Sequence, residues 1–101
     1  MNNRIALHSK LEEILGSSHV YFQPPKNQQM IYPCILYKRI KFNNQFADNR
    51  VYYQKDRYEI IVLDKNPESE VTRKLSLFDT IYHDRQYVID GLYHDVFTLY
   101  Y

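Results

Sequence analysis

Four histidines, one cysteine and a few adjacent carboxylates are the residues of this chain whose types could do chemistry. Two histidines stand beside aspartates, in His83-Asp84 and His94-Asp95. A metal or acid–base site would need them to converge. With Asp90-Gly91 as a two-residue turn, Ile89 faces Leu92 and Tyr87 faces His94. His83 then lies on the order of 13 Å from the level of His94, at ~3.3 Å per residue. That spacing gives no shared ligation, so hydrogen-bonded or solvated structural histidines are expected. Cys34 would act as a nucleophile only with a base beside it. Between Pro33 and Ile35 it reads as a small buried strand residue. Glu12-Glu13 and Glu68/Glu70 read as solvated helix faces, the second pair also suiting the positive end of a helix dipole. No serine sits in a nucleophile elbow and no His-Glu-x-x-His occurs. Two glycines in the whole chain leave no room for a phosphate-cradling loop. The expectation is a protein without catalytic residues, metal or cofactor.

The segment Tyr37-Lys38-Arg39-Ile40-Lys41 interleaves basic and aromatic residues. Such a strand can stack single-stranded bases. Its charges can instead protect a partly exposed strand from edge pairing. In a third reading, Lys38, Arg39 and Lys41 form a mildly basic strip past which DNA slides without being read. Thirteen Lys+Arg against twelve Asp+Glu, a net charge of +1, argue against a dedicated nucleic-acid binder. A length of 101 residues fits one domain, and no apolar run approaches a bilayer span. The first residues lack the apolar stretch of a signal peptide, and one cysteine excludes an internal disulfide. Residence in a reducing cytoplasm is the simplest expectation.

The elements that must position these residues follow from periodicity. Leu7, Leu11, Ile14 and Leu15 form one apolar stripe, predicting a helix over 4–15 capped by Asn2 or Asn3 and closed by Gly16. Residues 19–23 predict a short strand stopped by Pro24-Pro25. Residues 34–42 predict a strand on which Cys34, Leu36, Ile40 and Phe42 share a parity. Residues 43–49 read as a turn-rich connector to a long strand over 51–63. Asn66 and Pro67 look like the cap and first residue of a second helix, with Val71, Leu75 and Phe78 as its stripe and an end near Asp79 or Thr80. Residues 81–89 and 92–101 predict a hairpin about Asp90-Gly91, a type I′ turn signal. The predicted fold is α+β: an antiparallel sheet of four to five strands with two helices on one face, in a single domain spanning 1–101.

Eleven tyrosines and no tryptophan bring the aromatic share to 16%. Tyrosine is a strand former with an apolar body and a polar tip, at home at a wet edge or an interface. The run from Tyr93 to Tyr101 is a strand to its last residue, so it is either central in the sheet or covered by another chain. Together with Tyr21, Tyr52 and Tyr53, Tyr100 and Tyr101 suggest an oligomer.

Several stretches carry a resemblance. They are Val20-Tyr21-Phe22-Gln23-Pro24-Pro25, Tyr32-Pro33-Cys34-Ile35-Leu36-Tyr37, Ala47-Asp48-Asn49-Arg50, Arg57-Tyr58 with Val62-Leu63-Asp64-Lys65-Asn66-Pro67, and Asp90 through Tyr100. With the order of elements, they resemble the tail-terminator and neck (tail-completion) proteins of long-tailed bacteriophages of Gram-positive hosts. The resemblance implies a virion protein, made in the host cytoplasm, that forms a homo-oligomeric ring, commonly of six copies, at the head-proximal end of the tail. Such a ring ends tail-tube polymerisation and joins the tail-tube protein to the head connector or stopper, and genomic DNA crosses its lumen. The family has no active site and no cofactor. Within that expectation, Phe46, Asp48, Asn49, Arg50, Tyr52, Tyr100 and Tyr101 are candidate subunit or tube contacts. Phe46 would anchor the contact or else fold back onto its own sheet. Lys38, Arg39 and Lys41 are candidate lumen-facing bases. A head-completion or stopper protein, a small nucleic-acid-binding module and a toxin-like ribonuclease are the alternatives, the last disfavoured by the lack of basic excess.

Overall fold

Residues 3–24, 29–41, 44–47, 50–54 and 56–101 are described by a computed structural model, with residues 3, 41, 44–47 and 50–54 described by their backbone alone. The elements in order are α1 (Asn3–Leu15), β1 (Val20–Phe22), β2 (Cys34–Lys41), β3 (Asn44–Ala47), β4 (Arg50–Gln54), β5 (Arg57–Asp64), α2 (Glu70–Leu75), β6 (Ile81–Ile89) and β7 (Leu92–Tyr100).

Helix α1 follows its stripe. Leu7 and Leu11 are fully buried, and Ile14 and Leu15 pack against the same cluster. Gly16 takes the left-handed conformation (φ +81°), and its N–H donates to the Glu12 carbonyl at 2.8 Å, closing the helix as glycine does best. The Asn2 cap lies outside the described residues. Asp90 and Gly91 both have positive φ, 51° and 75°, as a type I′ turn requires. The register across that turn pairs Ile89 with Leu92 and Tyr87 with His94.

Five strands form one sheet in the order β1-β2-β5-β7-β6. The fold is the expected α+β, but the sheet is mixed, because β1 runs parallel to β2. The other pairings in this sheet are antiparallel. Strand β7 is central, between β5 and β6, which resolves how its β-prone sequence is covered. Sheet neighbours inside the same chain satisfy its ladder.

Three expectations need correction. The connector over 43–49 and the long strand over 51–63 are not what forms. Strands β3 and β4 instead pair with each other as a separate two-stranded sheet, and β5 begins only at Arg57. The β-branched and aromatic content of Val51-Tyr52-Tyr53 is real strand signal, but it is spent on β3 rather than on continuing β5. On β2 the helix-facing parity is that of Ile35 and Tyr37; of the parity expected from the sequence, Cys34 is buried on the other face as expected and Phe42 lies outside the described residues. Ile35 and Tyr37 join the core cluster, whereas Ile40 is 43% exposed. The second helix is shorter than predicted and starts later. Ser69 caps it, its hydroxyl accepting from the Val71 N–H. Asn66 instead belongs to successive Asx turns: its N–H donates to Asp64 Oδ1, and its Oδ1 accepts from Glu68 N–H. At the far end Leu77 and Phe78 donate to the carbonyls three residues back, so Phe78 reaches the core from a turn.

Both helices cover one face of the sheet. Leu7, Leu11, Val71 and Leu75 meet Val20, Ile35, Tyr37, Tyr58, Ile60, Val62, Phe97 and Leu99 in a single cluster. Leu75 is fully buried in a helix of six residues, too short to persist without that packing. Leu75→Ala should therefore cost about 2–5 kcal/mol of unfolding free energy, measured by urea denaturation. An unchanged midpoint would contradict this packing.

Candidate assembly interface

Three features are free of the core: an arm, an edge and an open face. The arm is the β3–β4 pair, a sheet of its own inserted between β2 and β5. A lone two-stranded ladder is marginally stable at best in water. The edge is β6, last in the sheet order, with Tyr82 63% exposed and Val88 and Ile89 each 54% exposed. The third feature is the side of the sheet away from the helices, which is open only in part, since Cys34, Leu63 and Val96 on it are buried. Shallow grooves of about 500 and 570 Å³ cross it, lined among others by Met30, Leu36, Lys38, Glu59 and Ile61 in one and Leu63, Ile89 and His94 in the other.

The sequence-predicted contact residues divide between these features. The backbones of Phe46, Arg50 and Tyr52 lie on the arm strands, where Phe46 pairs with Val51 and Ala47 with Arg50. Asp48 and Asn49 fall outside the described residues. Tyr100 and Tyr101 lie at the root of the arm and are half-buried in their own chain. Tyr101 exchanges two backbone hydrogen bonds with Asp56 and meets Phe78 edge-on at 6.3 Å. Tyr100 meets Tyr82 edge-on at 6.4 Å.

The predicted basic strip is not a row of free cations. Lys38 Nζ lies 3.8 Å from Glu59. Arg39 is 3.2 Å from Asp56 and donates to the Tyr58 hydroxyl at 3.4 Å. Lys41 ends β2 opposite Arg57, beyond a register shift. Alternation sends Lys38 to the open face and Arg39 to the opposite one, so the interleaved pattern does not build a base-stacking platform.

The histidines separate as the spacing implies, but one partner was missed. His94 lies against Tyr87, the rings stacked 4.6 Å apart, and its Nδ1 donates to the Leu92 carbonyl at 3.0 Å. His83 contacts Asp95, not its neighbour Asp84, with Nε2 3.0 Å from Oδ1. A bulge between His83 and Arg85 makes this possible. It sets His83 opposite Phe97 and Gln86 opposite Asp95, so both side chains converge on one carboxylate. Gln86 Nε2 donates to Asp95 and to the Pro67 carbonyl, and Thr72 Oγ1 donates to Asp95 at 3.3 Å. Asp95 is thus buried and multiply satisfied, a bracket tying β6, β7 and α2 together. The sequence shows a histidine next to each aspartate; the cross-strand pairing depends on a bulge that no local pattern announces.

Cys34 is fully buried, and burial pushes its thiol up to about 11, far from a nucleophile's range. Among the described residues no three His, Cys, Asp or Glu side chains gather as metal ligands, and no helix is long and apolar enough to cross a membrane. Compared with known proteins, the chain matches no family model and no curated sequence.

Asp95→Ala removes the common acceptor of His83, Gln86 and Thr72. It should lower unfolding free energy by about 1–3 kcal/mol in urea titrations. An unaltered titration would mean that water replaces the carboxylate at no cost.

Proposed function

We propose that this chain is a structural subunit of the neck of a long-tailed bacteriophage, acting as its tail terminator. Copies form a ring, six as commonly found in such proteins, that ends tail-tube polymerisation and joins the tail to the head connector. The observation that carries this reading is the arm. Strands β3 and β4 carry Phe46, Val51, Tyr52 and Tyr53 on a sheet separate from the core sheet, an arrangement suited to reaching a neighbour. The resemblance of the quoted segments supplies the neighbour's identity. The chemistry agrees, since His8, His83, His94, Cys34 and Asp95 all have structural explanations.

A cyclic ring needs two different patches on each subunit, joined head to tail. A stable contact covers roughly 800 Å² per partner. Phe46 would anchor it, with Asp48 and Arg50 matching charge and Asn49, Tyr52, Tyr100 and Tyr101 nearby. Of the three basic residues expected at the lumen, Lys38 lies on the open face and would line it, whereas Arg39 points to the helix side of the sheet and would not. Lys38 is offset by Glu59, leaving a modest potential past which genomic DNA slides.

Disrupting the encoding gene in its phage should give tail tubes of uncontrolled length and heads without tails, seen by negative-stain electron microscopy. Tails of normal length that fail to join heads would instead assign the head-completion or stopper role, and intact particles would refute both. Phe46→Asp should leave the circular-dichroism spectrum unchanged and abolish assembly onto tails. A loss of folding would place Phe46 in its own core and remove it from the contact.

A further inference from the structure

We infer that the arm of one copy adds its β4 strand to the β6 edge of the next, over Arg85–Ile89. This deepens the ring reading by naming the head-to-tail contact, and it rests on that reading only for its closure into a ring.

Strand β6 pairs with β7 on one side, and its other side ends the sheet. Natural edges of this length are usually blunted by lysine, proline or a bulge. Here the bulge lies between His83 and Arg85, which leaves Arg85–Ile89 as an unbroken run of five residues in ladder register with β7. Strand β4, Arg50–Gln54, is also five residues long. The edge carries no lysine or proline, and its Asp84 and Arg85 neutralise each other at 2.6 Å. The arm strands carry a single charge, Arg50. An antiparallel approach sets Arg50 beside Ile89 and away from Arg85, so no like charges oppose it. One contact would complete both partners, giving the two-stranded arm a larger sheet and the edge a ladder partner.

The chain's own arm cannot do this. It springs from β5 at Arg57, which pairs with Tyr100, whereas Val88 pairs with Tyr93. Seven residues of β7 separate those levels, roughly 23 Å at ~3.3 Å per residue. Strand β7 also stands between β5 and β6. A second copy is thus the occupant, and the contact joins unlike patches.

The test uses full-length single variants, Tyr52→Cys on the arm and Val88→Cys on the edge, treated with a short bismaleimide. The native thiol is silent, because Cys34 is fully buried and held protonated. Mixing the two variants, one tagged, should give a mixed product at twice the chain mass, which does not form when the reaction is run in urea. The double variant should give a ladder of products. If Tyr52→Cys does not fold, Gln54→Cys replaces it. Val88→Cys coupling to itself would show edges meeting two-fold and overturn the proposal, as would the lack of a mixed product at every concentration. Rings in micrographs without the mixed product would sink this contact and leave the neck reading standing. The mixed product from a chain whose loss leaves phage particles intact would keep the contact and sink the neck reading.

Discussion

Two tyrosines buried between the sheet and helix α1 set the terms for the rest of the fold. Tyr37 and Tyr58 lie side by side on β2 and β5, 6.1 Å between rings, and both are essentially removed from water. Their rings supply much of the apolar volume of a small core, yet each hydroxyl must keep a partner. His8 from α1 reaches the Tyr37 hydroxyl at 2.6 Å, with Arg4 at 3.4 Å. Arg39 donates to the Tyr58 hydroxyl and is held by Asp56. Burial raises the Tyr37 phenol above its ordinary value, partly opposed by Arg4. The polar tips therefore fix how α1 docks, while the rings fix where it docks. The same arrangement occupies Arg39, which limits what that cation can offer to anything outside.

Much of this was legible in the sequence. The first helix, the Asp90-Gly91 turn and the central position open to β7 follow from strong local rules: an apolar stripe, a positive-φ dipeptide and a run of β-prone residues. What was not legible depended on competition between distant segments. Val51-Tyr52-Tyr53 has the same propensity whether it extends β5 or pairs with β3, and only the partner decides. Asn66 and Ser69 are both good caps, and Asn66 lost because Asp64 drew it into an earlier turn. The face of β2 was misread because Tyr37 counts as a core residue only when its hydroxyl finds a partner on another element. Among the candidate contacts, β3 lay hidden in a stretch that reads as a turn-rich connector, and the ion pairs of Lys38 and Arg39 needed the β2–β5 register.

The two ends of the sheet are unequal. Strand β1 is three residues long and parallel to its neighbour, whereas β6 is nine residues long with much of its side-chain surface in water. The bracket around Asp95 holds β6 to β7 despite that exposure, so the strand keeps its register without a second neighbour.

The single thiol of the chain has a quieter consequence. Cys34 is enclosed on β2 and stays in its protonated form at any physiological pH. In reactions with peroxide or a disulfide the attacking group is the thiolate, so an enclosed, protonated sulfur is a poor participant in either. A fold whose one thiol is shut away in this fashion is held by non-covalent contacts alone, and a change of redox surroundings finds little on β2 to act upon.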